Sequence, residues 1–205
     1  MTPAALAELI VRRAADTPGR RFIAALAGPP GAGKSTLAAN LVSLIGKAAK
    51  VVPMDGFHYD DAILIARGQR SRKGAPETFD VAGFAHLLSR LQVEDEVAIP
   101  IFDRSLELSR GSADIVGSDQ RILIAEGNYL LLNEAPWTDL GRYFDLTVMI
   151  HVSEAELDRR LLDRWAQYGK TAEEARAWID GNDLPNIRRV QKHSRRADET
   201  LLWRG

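Results

Sequence analysis

The chain has 205 residues, 45% of them hydrophobic and 27% charged, with 27 Lys and Arg against 28 Asp and Glu. That length suffices for one domain with its own core, and the balanced charge offers no field for nucleic acid or a membrane surface, so neither is expected as a partner. The absence of cysteine excludes disulfides, thiolate metal sites and cysteine nucleophiles, and fits a reducing, cytoplasmic setting.

No stretch approaches the roughly 20 apolar residues of a membrane span. The N-terminal segment mixes acids and arginines and lacks the layout of a signal peptide. Leu6, Leu9 and Ile10 recur there near helical period, which predicts an amphipathic helix. Residues 21–27 are an apolar run ending before glycine and predict a buried strand. "GKSTLAANLVSLIG" predicts a helix stopped by Gly46, and "KVVPMD" a second strand. Residues 60–80 are polar and basic and predict a long loop or small subdomain. "VAGFAHLLSRL" follows as a helix and "EVAIPIFD" as a third strand. Residues 104–120 form another excursion, with a short strand at "ADIV". "RILIAEG" and "FDLTVMIHV" predict the fourth and fifth strands. "SEAELDRRLLDRWAQYG" predicts a helix with Ser153 as cap and Glu156 completing a capping box; Thr171 and Glu174 repeat that signature at "TAEEARAWIDGN". "LPNIRRVQKHSRRAD" is a further helix and "ETLLW" a last strand. Apolar strands alternating with helices imply an α/β fold, a parallel sheet covered by helices on both faces. With no repeat or linker, a single domain over residues 1–205 is the simplest organisation.

"GPPGAGKST", residues 28–36, matches the phosphate-binding pattern G-x-x-x-x-G-K-[ST] between a predicted strand and a predicted helix. Successive backbone N–H groups of Gly28, Pro29, Pro30, Gly31, Ala32, Gly33, Lys34, Ser35 and Thr36, proline nitrogens excepted, would curl around phosphates at the helix N-terminus. Lys34 would reach the β- and γ-phosphates and Ser35 would ligate Mg²⁺. Glu126 closes an apolar strand where such proteins carry an acid that holds the metal through water. It reads otherwise as a solvated strand end. Asp55 also follows an apolar run, and ligands of open parallel sheets bind beyond the carboxyl ends of the strands. Asp55 is therefore a candidate base for a substrate hydroxyl, or else a turn residue before Gly56 or a helix cap. Arg160 and Arg164 lie four apart on one helix face, suited to the spreading charge of phosphoryl transfer or to i,i+4 pairs such as Glu156 with Arg160.

Taken in order, the phosphate loop, "MDGFHYDD", "RKGAPETFD", "IPIFDRSLELS" and "ILIAEGNYLLL" resemble the uridine kinase, phosphoribulokinase and type I pantothenate kinase superfamily over nearly the whole chain. The nearest resemblance is to short bacterial members assigned as fructose or nucleoside kinases, some linked to fructose transport. The resemblance implies a P-loop NTPase fold with an inserted acceptor loop region and a helical lid at about 155–182. It implies ATP and Mg²⁺ as cofactors and transfer of the γ-phosphoryl group to a hydroxyl of a small molecule, fructose-like in the first instance, nucleoside or pantothenate-like in the second. It makes Asp55 the base, with Lys34, Arg160 and Arg164 assisting, and Ser35 and Glu126 the metal-associated residues. It brings Phe57, His58, Tyr59, Arg72, Lys73, Phe79, Phe102, Asp103 and Arg104 to the acceptor, with His58 alternatively structural and Arg72 and Lys73 alternatively solvated. "IFDRSLE" lacks the histidine that uridine and pantothenate kinases carry there, which disfavours both acceptors. Relatives are often dimers, so the resemblance admits a homodimer.

Two other classes are weighed against it. A GTPase-type switch would carry an N-K-x-D strand end, which the chain lacks. A nucleoside monophosphate kinase would need arginines for the acceptor phosphate, which residues 67–73 offer, but Asp55 would repel that phosphate.

Overall fold

The computed structural model describes residues 1–202; Trp203 of the predicted last strand lies outside the described residues. The chain runs α1 (Pro3–Ala15), β1 (Phe22–Ala27), α2 (Lys34–Ile45), β2 (Ala49–Pro53), α3 (Asp61–Ala66), α4 (Val81–Val93), β3 (Val97–Asp103), β4 (Leu108–Val116), β5 (Ile122–Gly127), β6 (Leu146–His151), α5 (Glu154–Gln167), α6 (Ala172–Trp178), α7 (Leu184–His193) and β7 (Glu199–Leu202). Five strands form a parallel sheet in the order β2-β5-β1-β6-β7.

The side-chain period of two explains how each central strand serves two cores. Along β1, Ile23, Ala25 and Ala27 enter one core with α4 and Trp137, while Phe22, Ala24 and Leu26 enter the other with α1, α2 and α5. β5 divides the same way, with Leu123 and Ala125 on one face and Ile122 and Ile124 on the other. Both faces are thus covered, the condition under which strands lose polar alternation and become all-apolar.

The third predicted strand departs from expectation. β3 does not join the parallel sheet; it pairs antiparallel with β4 as a separate two-stranded ribbon, with a register irregularity between Ile99 and Ile101. Pro100 cannot donate to a ladder, which suits an edge or bulge rather than a central strand. The predicted loop at 60–80 contains α3, capped by Asp60, and two short 3-10 turns. Ser153 caps α5 as expected, but the Glu156 carboxylate turns to Arg159 and Arg160 instead of closing a box. Thr171 and Glu174 do close theirs.

A buried arginine ties the layers together. Arg21, 6% exposed, donates to the carbonyls of Leu91, Glu94, Asp95, Gly117 and Gln120. One guanidinium thereby satisfies the turn after α4 and the turn before β5, groups that burial would otherwise leave unpaired.

Candidate active site

The strand order sets up the site. β5 lies between β1 and β2, and the registers Leu26 with Glu126 and Pro53 with Glu126 align the carboxyl ends of all three. The phosphate loop leaves β1, Glu126 is the penultimate residue of β5, and Asp55 sits on a 3-10 turn, Met54–Phe57, just past β2. Neighbouring strands are about 5 Å apart, so these groups form one row facing a cavity of about 740 Å³.

The loop geometry follows from its glycines. Gly33 has φ 84° at the start of α2 and Gly31 has φ 79°, the left-handed region that glycine enters without cost. A Cβ on Gly31 would also stand 3.2 Å from Leu161 of α5, so the loop and that helix are closely packed. Ser35 Oγ donates to Glu126 Oε1 at 2.9 Å. Lys34 Nζ donates to the Pro29 carbonyl at 3.0 Å, folded back over its own loop.

Burial dominates the titration of these groups. It lowers the Lys34 pKa to about 8, against attraction from Glu126 and Asp55 that works the other way. Burial, and then repulsion from Asp55, pushes Glu126 above the usual carboxylate range. Burial would also raise Asp55, but His58, Arg104, Lys34 and Arg164 together outweigh it and hold Asp55 low. His58 is itself lowered by burial, so the Arg104 ion pair, with Nη2 2.6 Å from Asp55 Oδ2, is the partner we hold responsible.

Comparison with known proteins gives the arrangement a family. No family model matches the chain. It is 37% identical over 186 residues to the uncharacterised protein YggC of Escherichia coli K12, covering 88% of this chain and 77% of that one. It is 35% identical over 187 residues to a candidate uridine kinase of Schizosaccharomyces pombe, covering 85% of this chain and 80% of that one. Among solved structures, a candidate fructose transport system kinase from Silicibacter sp. TM1040 superimposes with a TM-score of 0.94 at 41% identity, covering 98% and 99% of the two chains. The chain belongs to the P-loop kinase superfamily. It is a phosphotransferase, and P-loop kinases generally use ATP and Mg²⁺.

Within this P-loop kinase the residues at Ser35 and Glu126 fit a hard divalent cation. A hydroxyl and a desolvated carboxylate already in contact are oxygen donors of the right chemistry, and Mg²⁺ takes few protein ligands besides phosphates and water.

The cavity of the kinase gathers some expected acceptor residues and leaves others outside. Asp55, His58, Lys73, Phe102 and Arg104 line it, together with Arg160 and Arg164. His58 is sandwiched between Phe79 and Phe102, with ring centroids 4.1 and 4.6 Å away, and its Nδ1 lies 2.8 Å from the Asp55 carbonyl oxygen. Phe57 packs instead on Phe84 in the core, and Phe79 is 4% exposed beneath His58. Tyr59 lies under the Arg67 guanidinium. Asp103 caps the hairpin turn through the Ser105 and Leu106 amides and meets Arg110. Arg72 turns to the Gly181 carbonyl and Glu77. None of these five lines the cavity.

Lys73 is 6% exposed and committed to Asp61 Oδ1 and the Glu107 carbonyl, each at 2.6 Å, so it is no solvated loop residue. Arg160 bonds Glu156 at 2.7 Å and the Ala32 carbonyl at 3.4 Å, joining α5 to the phosphate loop. Arg159 stays on the outer face with Glu156 and Asp163. Arg164 makes no ion pair among the described residues; it lies near Trp165 and Tyr168 and faces the cavity.

Sequence reasoning missed a whole wall. α6 runs through a π-helical turn, Ile179–Asp183, into α7, and Asn182, Asp183 and Asn186 face the cavity beside Trp165 and Trp178. Asp183 accepts from Trp165 Nε1 at 2.8 Å, and burial raises its pKa. π-turns recur at functional sites, but the segment "DGNDLPN" gives no periodic signal that would mark one in sequence. Tyr129, fully buried, was missed too; its hydroxyl donates to the Gly74 carbonyl at 2.5 Å and pins the acceptor loop to β5.

Proposed function

We propose that this kinase transfers the γ-phosphoryl group of ATP to a hydroxyl of a small polyhydroxylated acceptor, fructose-like in kind. The single observation that carries the reading is the row of phosphate loop, Glu126 and Asp55 along one cavity edge. The acceptor is expected on the far side of Asp55 from the phosphate loop, against His58 and Phe102. There Asp55 orients the attacking hydroxyl and receives its proton as the oxygen–phosphorus bond forms, while ADP leaves with the electron pair. Lys34 moves from the Pro29 carbonyl onto the phosphates, and Arg160 and Arg164 offset the charge on the transferring group. Ser35 and Glu126 would hold Mg²⁺, which would supply neutralisation of the phosphate charge. A single domain with residues 155–182 as lid belongs to the same reading, as do a cytoplasmic setting and a homodimer. Among the described residues no helix is long and apolar enough to cross a membrane.

A nucleoside acceptor is the second reading, favoured by the relative named for uridine. Fructose, other ketoses, uridine, cytidine and pantothenate, scored by ADP release, separate the two. Asp55→Asn in the same panel should keep nucleotide binding and lose about 10²–10⁴-fold in kcat. Retained kcat in that variant would remove Asp55 from the mechanism.

A further inference from the structure

Arg104 occupies the group that the reaction needs free. Its Nη2 lies 2.6 Å from Asp55 Oδ2, and no other carboxylate pairs with it among the described residues. A carboxylate held by a guanidinium is a poor proton acceptor. The other cations nearby are differently placed. Lys73 is buried between Asp61 and the Glu107 carbonyl, and Arg70 is bonded to Asp61 at 2.7 Å. Those pairs hold the acceptor loop and the hairpin tip together and do not involve Asp55.

Arg104 is also placed where it can move. It sits just past β3 where the β3–β4 ribbon turns, and its side chain is 39% exposed. The ribbon beneath it is anchored without its help, through Lys73 to Glu107 and through Ser109 Oγ to the His58 carbonyl at 3.2 Å. Arg164 lines the same cavity and makes no ion pair among the described residues, and the two guanidiniums repel. An anion entering between Asp55 and the hairpin therefore meets one guanidinium it can capture and a second that disfavours leaving the space uncharged.

From this we infer that the acceptor carries an acidic group, a carboxylate or phosphate on the polyhydroxylated chain, and that this group takes Arg104 away from Asp55 as the acceptor binds. The inference rests on the phosphotransfer reading above and narrows its acceptor. The exchange leaves one Asp55 oxygen open for the attacking hydroxyl: its proton passes to Asp55, the oxygen bonds to the γ-phosphorus, and the bond to the ADP oxygen breaks. A neutral polyol cannot compete with the carboxylate for Arg104, so the base stays masked. The bidentate geometry of guanidinium with carboxylate or phosphate supplies the selectivity.

The test pairs acceptors that share a carbon skeleton and differ at one terminal group, a hydroxyl in one and an acid in the other: D-glucitol with D-gluconate, and fructose with fructose 6-phosphate. ADP and the phosphorylated acceptor are both measured, with the full-length protein and with Arg104→Gln and Arg104→Lys. The acidic member of at least one pair should have the higher kcat/KM. Arg104→Gln should lower that value on the order of a hundredfold, the scale of one lost charged contact, and should raise the kcat of the neutral member, whose base it unmasks. Arg104→Lys should recover part of the loss as a lower KM. If the neutral member is preferred, or if Arg104→Gln affects both members equally, Arg104 only positions Asp55 and the inference fails while phosphotransfer stands. ATP hydrolysis indifferent to every acceptor in the presence of Mg²⁺ would overturn both.

Discussion

Replacing Lys34 with methionine should make the nucleotide-free protein more stable while abolishing its response to ATP. Lys34 is 8% exposed, and burial brings its pKa from 10.5 to about 8. That gap of about 2.5 pH units means that holding the amine charged in the fold costs about 3 kcal/mol at pH 7. Methionine fills a similar volume without charge. It forfeits the bond to the Pro29 carbonyl, about 1 kcal/mol. The balance is about 2 kcal/mol of stabilisation, or roughly 4–8 °C in Tm for a chain of this size. Because the folded pKa is the lower one, the penalty is fully present below pH 8 and fades as pH rises toward 10.5. Parent and variant should therefore cross in stability near pH 10, roughly where the fading penalty equals the bond to the Pro29 carbonyl, with the parent the more stable above it. The assay is urea denaturation at pH 7 and at intervals upward, with and without Mg²⁺ and ATP. ATP at a hundred times its Kd should stabilise the parent by about 2.7 kcal/mol and the variant hardly at all. A variant less stable than its parent at pH 7 would refute the burial argument. Full stabilisation of the variant by ATP would refute the role of Lys34 at the phosphates.

Two further perturbations probe the frame around the site. Arg21→Ala should destabilise the protein by at least about 3 kcal/mol, since it strands buried carbonyls at the turn after α4 and the turn before β5; chemical denaturation measures it, and a loss under 1 kcal/mol would mean water replaces the guanidinium. Gly56→Ala should lower both stability and phosphotransfer, because the added Cβ would stand 2.5 Å from the Pro100 carbonyl oxygen and displace either β3 or Asp55; unchanged activity and Tm would show that the ribbon is free to shift.

What could be read in advance and what could not divide along a physical line. "GPPGAGKST" is a contiguous motif whose conformation is set locally by Gly31 and Gly33, so its place between β1 and α2 was legible. The strand ends bearing Asp55 and Glu126 were legible because apolar runs of that length must be buried, and the residue after such a run emerges at the sheet edge. The aromatic and charged residues around Asp55 were harder. The family resemblance placed Phe57, Tyr59 and Phe79 near the acceptor, yet they do not line the cavity, because side-chain direction there depends on turns with no periodic signature.

Sequence by itself determined the fold class, the phosphate loop and the chemical inventory of the site, since burial period, glycine conformation and residue type are local properties. Tertiary structure alone decided that β3 leaves the sheet to form a ribbon with β4, a choice among pairing partners that an apolar run cannot express. It alone brought the π-turn with Asn182, Asp183 and Asn186 to the cavity from the far end of the chain. It alone set Arg104 on Asp55 across 49 residues of sequence. Pairing of charges depends on distance and dielectric, and neither exists until the chain has folded.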